Sequence, residues 1–423
     1  MAESTDLNQI VPRRVSRRTA LVAGTAGALG AAATLAAQRA DQAAPPAAPA
    51  DTTKVQGAAA SDLGSRSPFE RPKRLSLTDR RTSSLTPLQD LDGVITPADL
   101  HFERHHGGVP TIDPKRYSLL IHGMVDRPLV FTLADLKRFP ARSIIRFVEC
   151  SGNGGRAYRR EGLTGQLTPQ QIDGLTSTSE WTGVPVATLF REAGVSPKAT
   201  WFLAEGGDAA VMTRSIPVAK GLEDALIAYA QNGEALRPEQ GYPARLLLPG
   251  YEGNACVKWI RRIELADQPF MTREETAKYT DPLPDDTARM FSFVMDAKST
   301  ITEPVFPDRL TEPGWWEIRG LAWSGRGRIT RVDVSVDGGK TWQQATLEEP
   351  VLPKCHTRFR LAWNWRGGEA VLMSRATDET GYVQPTLDAL IEARGPATAY
   401  HFNNIRAWRV AADGAVTFAG AGA

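Results

Sequence analysis

The sequence predicts an α+β domain followed by an all-β sandwich of immunoglobulin-like kind, and three of its features carry that expectation. Strand-like and helix-like stretches mix between about residues 85 and 285, joined by short connections, which suits α+β better than a regular doubly wound sheet. From about residue 286 they give way to alternating apolar and polar runs parted by glycine turns. Ahead of both lies an Ala- and Pro-rich stretch with neither periodicity. The expected division is a leader at 1–45, a disordered linker at 46–84, the α+β domain at 85–285 and the sandwich at 286–423.

In the leader, Arg17 and Arg18 precede a weakly apolar stretch, Ala20 to Ala37, that is dominated by Ala and Gly. A membrane-spanning helix would carry Leu, Ile and Phe instead. The pattern is that of a twin-arginine export signal, used for proteins exported already folded. A periplasmic protein with no membrane anchor after cleavage is expected. Export after folding lets a cofactor inserted in the cytoplasm leave together with its protein.

In the α+β domain, "YSLLIHGMV" at 117–125 predicts a strand, and Thr132 caps a short helix in "TLADLKRF". "RSIIRFVEC", ending at Cys150, is the next strand, with Ile and Phe supplying β-propensity. "VATLFREAG" reads as a helix closed by Gly194. "ALIAYAQNGEAL" has a helical composition, but Asn232-Gly233 is a hairpin signal, so two strands are expected. "YPARLLLPG" and "ACVKWIRRIEL" add two more, which places Arg245 and Lys258 on strands. In the sandwich, "WWEIRGLAWSGRGRITRVDVSVDGGKTWQQATL" holds three alternating runs with Gly338-Gly339 at a hairpin, and "TRFRLAWNW" and "AVLMSRATDETG" continue them.

Composition excludes several classes. Of 50 Lys and Arg against 48 Asp and Glu, five basic and three acidic residues lie within 1–42, leaving 45 of each sign and no broad basic footprint for nucleic acid. The three cysteines, Cys150, Cys256 and Cys355, stand alone, and no CxxC, CxxCH or HExxH occurs. That argues against a disulfide scaffold, an attached haem, a clustered iron–sulfur site and the common zinc motifs. GxSxG, a phosphate loop and a complete GxGxxG are also missing. What remains is Cys150. Buried cysteine normally sits among apolar residues, yet this one stands where a strand stops and "SGNGG" begins. A thiolate there, with glycines that let a bulky group approach, suits a soft-metal ligand; a buried structural cysteine is the alternative.

Cys150-Ser151-Gly152-Asn153 after a strand resembles the Cys-x-Gly-Asn signature of the sulfite oxidase family of molybdenum enzymes. "FERHHGGVPTIDPKRYSL", "WTGVPVATLFREAG" and "NGEALRPEQGYPARLLLPGYEGNACVKWIRRIEL" resemble further segments of its molybdopterin domain, in the family's order. "VDVSVDGGKTW" resembles its dimerisation domain, and the likeness runs from about 95 to 415. Within the family, "PGYEGNACVKW", "EPGWWEIRGLAWSGRGRI" and "DETGYVQPT" are most similar to the molybdenum subunits of sulfane dehydrogenases, which serve periplasmic thiosulfate-oxidising (Sox) systems.

The resemblance implies a molybdenum–molybdopterin cofactor, with Cys150 as the protein thiolate on the metal beside two dithiolene sulfurs. It implies that Phe102, Arg104 and His106 form a loop next to the pterin, with Arg104 reaching an anion near the metal. Asp208, Arg245, Cys256 and Lys258 correspond to pterin- or phosphate-contacting positions. Tyr279, in "ETAKYTD", corresponds to the tyrosine above the metal, so Cys150, Arg104 and Tyr279 are the implied catalytic set. The implied activity is oxidation of sulfane sulfur held as a persulfide on a carrier protein. With no haem motif in this chain, electrons are expected to leave one at a time to a c-type cytochrome subunit, in a homodimer or heterotetramer.

Two departures bear on substrate. Sulfite-oxidising members usually place an arginine five residues after the cysteine, where this chain has Gly155, and Gln240-Gly241 stands where the family has His-Gly. Loss of a cation weakens a pocket for the sulfite dianion, and glycine is expected to open space for a bulkier substrate. The competing readings are a sulfite dehydrogenase with a cytochrome acceptor and, from another class, a non-enzymatic exported binding module with a degenerate site. A sulfoxide reductase is disfavoured, because that branch usually lacks the sandwich.

Overall fold

The computed structural model describes residues 56–77, 82–158, 164–283 and 285–421, and the expected export signal lies outside them. Among the described residues no helix is long and apolar enough to cross a membrane. Residues 56–71 belong to one unit and 72–421 to another; the first is exposed and carries no helix or strand. All that follows concerns the second.

It opens with β1 (Leu75–Ser76), β2 (Ser83–Leu85) and β3 (Glu103–Arg104), a small antiparallel sheet. Ser83 and Ser84 lie in the stretch read as linker, yet they are buried, because β2 is held between β1 and β3. Next come β4 (Ser118–Gly123), β5 (Leu129–Thr132), helix α1 (Leu133–Leu136) and β6 (Arg142–Glu149). Helix α2 (Pro169–Asp173) leads to β7 (Thr176–Pro185), α3 (Val186–Ala193), β8 (Trp201–Gly206) and β9 (Thr213–Pro217). After α4 (Val218–Glu223) follow β10 (Leu226–Gln231), β11 (Glu234–Ala235), β12 (Arg245–Leu247) and β13 (Ile260–Ala266). A ribbon of β14 (Asp281–Pro282) and β15 (Ala288–Arg289) precedes the second domain.

Local chemistry sets these boundaries. The Thr132 hydroxyl accepts from Asp135 N at 3.1 Å while the Asp135 carboxylate accepts from Thr132 N at 3.0 Å, a capping box that starts α1. Gly194, at φ 68°, ends α3. Asn232 and Gly233 both have positive φ, as the hairpin between β10 and β11 demands. One expected strand is shorter than read. "ACVKWIRRIEL" becomes a strand only at Ile260, because Trp259 takes φ 52° and short turns close at Cys256 N to Gly253 O and Val257 N to Ala255 O. Cys256 and Lys258 therefore sit on a loop, whereas Arg245 opens β12.

Strands β11-β10-β7-β6 form one sheet with β12 on β10, and β5-β4-β13-β8-β9 form a second in which β13 and β4 run parallel. Between them Trp181, Phe190, Phe202 and Ile263 are buried. The second domain runs β16 (Lys298–Glu303), β17 (Gly314–Trp323), β18 (Ile329–Ser335), β19 (Gln343–Gln344), β20 (Thr346–Glu348) and β21 (Thr357–Trp365). It ends with β22 (Ala370–Asp378), helix α5 (Leu387–Arg394), β23 (Ala407–Val410) and β24 (Val416–Gly420). Sheet β16-β17-β21-β20 packs on sheet β19-β18-β22-β23-β24 over Trp316, Ile318, Val332 and Trp408, the expected all-β sandwich.

The two domains meet in a buried ion network. Glu149, the last residue of β6, accepts from Lys298 Nζ of β16 at 2.9 Å and from Trp323 Nε1 of β17 at 2.6 Å. Lys298 also reaches Asp173 at 3.2 Å, and Asp173 meets Arg406 at 3.2 Å. None of these side chains is exposed, so each charge depends on its partner. Replacing Lys298 with Ala is expected to destabilise the fold by about 3–5 kcal/mol, since Glu149 and Asp173 would lose their shared buried cation. Chemical denaturation of the two proteins side by side checks this.

Candidate active site

Cys150 follows β6 directly. Its N–H donates to Leu175 O at 2.9 Å and its carbonyl accepts from Asn153 N at 2.9 Å, so the chain turns back at once. Asn153 locks the turn, donating from Nδ2 to Glu149 Oε1 at 2.9 Å and accepting from Leu175 N at 3.0 Å. Gly154 takes φ 86°, and a Cβ there would lie 2.3 Å from an Arg406 nitrogen, so this position requires glycine. At Gly152 a Cβ would meet only the Cys150 sulfur, at 4.0 Å, so glycine leaves that side of the sulfur open.

All nine residues singled out from the sequence line one cavity: Phe102, Arg104, His106, Cys150, Asp208, Arg245, Cys256, Lys258 and Tyr279. The electrostatics of its inner end are unusual. The Arg245 guanidinium is buried and donates only to the carbonyls of Gln240 and Cys256, at 3.1 and 3.0 Å. Lys258 Nζ donates to the carbonyls of Arg104 and Glu239 and meets His105 Nδ1 at 2.8 Å. Among the described residues neither has a carboxylate within ion-pair distance. Burial pushes Arg245 down to about 10 and Lys258 well below the ordinary lysine range. Arg245 Nε, His101 Nε2 and Asn254 Oδ1 are buried without a protein partner.

The other members are held for different reasons. Phe102 is buried, and its carbonyl accepts from Gln240 Nε2 at 2.9 Å. Asp208 accepts from Met212 N at 3.1 Å, closing the turn after β8. The Cys256 sulfur accepts from Leu248 N at 3.3 Å, which commits this thiol to the neighbouring backbone. Arg104 donates to Thr82 Oγ1 at 3.3 Å and to the His105 carbonyl. All three cysteines are free.

Arg104, His106, Cys150 and Tyr279 also line a second space, an open cleft of about 1190 Å³. A π-helical turn, Glu274–Lys278, ends at Tyr279 and presents it there. Its hydroxyl meets His106 Nε2 at 2.9 Å and its ring lies on the buried Arg214, whose guanidinium carbon is 4.9 Å from the ring centre. Arg214 is balanced by Glu252 at 2.9 Å and Glu275 at 2.8 Å. Burial pushes the Tyr279 phenol above its ordinary range and lowers His106 to about 4, aided by Arg104.

Several residues of the site had no signal in the sequence. Tyr400, His401 and Phe402 come from the sandwich: the Tyr400 ring lies 5.1 Å from that of Tyr279, and His401 N donates to Ser151 O at 2.8 Å. His105 bridges Glu103 and Lys258, both at 2.8 Å. Gly155 corrects an expectation. It opens no space, because a Cβ there would stand 2.9 Å from the Phe402 ring, which fills the room.

These features fit a bulky anionic cofactor joined to one protein thiolate. Buried Arg245 and half-buried Lys258, neither with a carboxylate within ion-pair distance among the described residues, line its cavity together with three residues that carry an orphaned polar atom, and the Cys150 sulfur has an open side. Among the described residues no three His, Cys, Asp or Glu side chains gather as a metal cage, so a metal here would take Cys150 and complete its shell from an organic group.

Comparison with known proteins agrees. Residues 106–274 match the oxidoreductase molybdopterin binding domain and residues 289–407 the Mo-co oxidoreductase dimerisation domain. The class is therefore a molybdopterin-dependent oxidoreductase. Mouse mitochondrial sulfite oxidase is 30% identical over 379 residues, covering 81% of this chain and 67% of the relative. Nitrate reductase [NADH] 2 of Phaseolus vulgaris is 33% identical over 313 residues, 66% of this chain but only 35% of that enzyme, so the chain spans about a third of its length. A crystal structure of the sulfane dehydrogenase SoxCD from Paracoccus pantotrophus matches with TM-score 0.82 and 46% identity, over 86% of this chain and 97% of that one. The chain belongs to the sulfite oxidase family and binds a molybdenum–molybdopterin cofactor.

Two outcomes test the electrostatics. Arg245→Met, which keeps the volume and removes the charge, is expected to purify with at least about tenfold less molybdopterin, because a charge-assisted contact is lost in a dry cavity; fluorescence of the released pterin measures it. Burial alone would raise Glu252, but Arg214 and His401 bring it down to about 2. A depressed carboxylate contributes stability above its unfolded range that is lost as pH falls from about 4.5 toward 2. Glu252→Gln is expected to melt lower than wild type at pH 7, with a smaller gap at pH 3, by calorimetry.

Proposed function

We propose that this chain oxidises sulfane sulfur, presented as a persulfide on a carrier protein in the periplasm, and passes the electrons to a c-type cytochrome. The observation that carries this reading is the pairing of Gly155 with Phe402 in a wide cleft that Cys150 also lines: position 155 contributes no cation, and an aromatic ring fills the room a side chain there would need. The similarity to a sulfane dehydrogenase at 46% identity supports it. The cleft's volume of about 1190 Å³, just above the roughly 300–1,000 Å³ typical of small-molecule sites, leaves room for such a substrate. The twin arginines at 17–18 support export after cofactor loading.

Each oxidation step joins one oxygen atom from water to sulfur and releases two protons and two electrons. The cofactor, when bound, supplies the oxygen-atom transfer and takes up the electron pair. The protein would hold it through Cys150 on the metal and Arg245 and Lys258 on its anionic groups. Arg104 would face the sulfur's developing negative charge from the cleft side. Neutral Tyr279, steadied by His106 and seated on Arg214, would offer a hydroxyl to substrate without adding charge. Without a haem motif in the sequence, the electrons need an external acceptor, and a cytochrome partner meets that need.

Steady-state oxidation of a persulfidated carrier or thiol peptide should exceed that of free sulfite by at least about a hundredfold in kcat/KM, with cytochrome c as acceptor. Efficient turnover of sulfite alone would defeat the substrate assignment and favour the sulfite dehydrogenase reading. Cys150→Ser is expected to abolish activity and molybdenum retention together; a metal-free wild type would favour a binding module instead.

A further inference from the structure

The wall of the cleft facing the Cys150 loop is built from the sandwich domain, by Ala397, Thr398, Ala399, Tyr400 and Phe402. It is a fixed wall. Tyr158 Oη donates to Gly395 O at 2.6 Å, Thr398 Oγ1 to Asp281 at 3.1 Å, and an Arg406 nitrogen to Phe402 O at 2.9 Å. The Phe402 ring is 7% exposed and packs on Tyr158, Leu387 and Leu390. A Cβ on residue 155 would lie 2.9 Å from Phe402 Cε2 and 3.2 Å from Cδ2. Gly155 does not have the positive φ that would itself require glycine. The constraint at 155 is therefore the ring and not the backbone: a side chain there requires the buried Phe402 ring to shift.

Resting on the substrate reading above, we propose that Phe402 is a specificity-determining residue: by crowding position 155 it keeps a charged side chain out of that part of the cleft wall, so that the cleft takes sulfur borne on an organic chain and discriminates against a small free dianion. Exclusion of the wrong substrate by a steric and electrostatic device is cheaper to build than extra affinity for the right one. Among the described residues, the cations left in the cleft are Arg104, Arg156 and Lys278. Arg104 donates to Thr82 and to the His105 carbonyl, and Arg156 is exposed.

The test is a double-mutant cycle on the cofactor-loaded full chain: wild type, Gly155→Arg, Phe402→Ala and the pair, with molybdenum content measured for each. Melting temperature reports the steric coupling, and calorimetric binding of sulfate, a product-shaped dianion, reports the pocket's charge. Gly155→Arg alone is expected to lose about 5 °C or more, and the double variant to melt no lower than Phe402→Ala. The double variant is expected to bind sulfate at least about tenfold more tightly than wild type and to gain sulfite turnover, while Phe402→Ala alone stays within about twofold for sulfate. A double variant whose loss equals the sum of the single losses, or a Gly155→Arg protein as stable as wild type, overturns the assignment to Phe402 whatever the substrate. Efficient sulfite oxidation by wild type, with the coupling intact, overturns the substrate reading and the discrimination built on it.

Discussion

The position of the Cys150 sulfur depends on a buried ion pair, Glu149 with Lys298, 149 residues apart in sequence and 2.9 Å apart in space. Glu149 has both oxygens engaged, by Asn153 and Lys298 on one and Trp323 on the other. Its backbone ends a strand of the first domain, while Lys298 and Trp323 belong to the sandwich. With no water to screen them, these charges make loop geometry and domain docking one cooperative event. The sandwich is thus part of the site. It fixes the strand end from which the thiol projects, and through Arg406 and Lys298 it excludes any side chain at Gly154.

Buried charge appears here in two kinds, and the difference separates structure from binding. Arg214 is fully buried but flanked by Glu252 and Glu275 within 2.9 Å, so its charge is balanced by the protein. Arg245, buried, and Lys258, half-buried, have carbonyls, an imidazole and the faces of Trp181 and Trp259 about them, and among the described residues no carboxylate within ion-pair distance. A cation desolvated in this way is costly unless something negative completes it. The first kind builds a platform under Tyr279; the second defines where an anionic ligand belongs. Perturbed groups with a structural partner and perturbed groups without one carry opposite functional meanings.

Short-range signals were legible in the sequence. The Thr132 cap and the positive φ of Gly194 and Asn232-Gly233 are local features, and each bounds the element it was expected to bound. The Cys150 loop was legible as well, because a strand running into glycines is a local pattern, and the family resemblance gathered residues from 102 to 279 that prove to share one cavity. What escaped depends on distant partners. Lys298 and Glu149 look like exposed strand charges until they are paired across the domain junction. Phe402 sits in "AYHFNN", which has no periodicity to mark it as a wall of anything. The loop at 255–259 has strand composition, yet Trp259 adopts positive φ and Lys258 Nζ reaches the Arg104 and Glu239 carbonyls, so tertiary contact overrode local preference.

The arrangement also divides labour between two compartments. The cavity is mostly apolar, closes around two unbalanced cations and suits a resident group; the cleft is open and suits a visitor. Four residues line both, Arg104, His106, Cys150 and Tyr279, so chemistry that needs resident and visitor together is confined to them. Of these four, the Tyr279 phenol is pushed above its ordinary range by burial, and the His106 imidazole is lowered by desolvation and by Arg104. Arg104 is then the single fixed cation on the boundary. Under the proposed reading, a negatively charged sulfur would meet it on approach from the cleft. Orientation of the visitor would follow from that asymmetry: charge toward Arg104 and apolar body toward Phe402 and Tyr400, with the open side of the Cys150 sulfur left to the resident group.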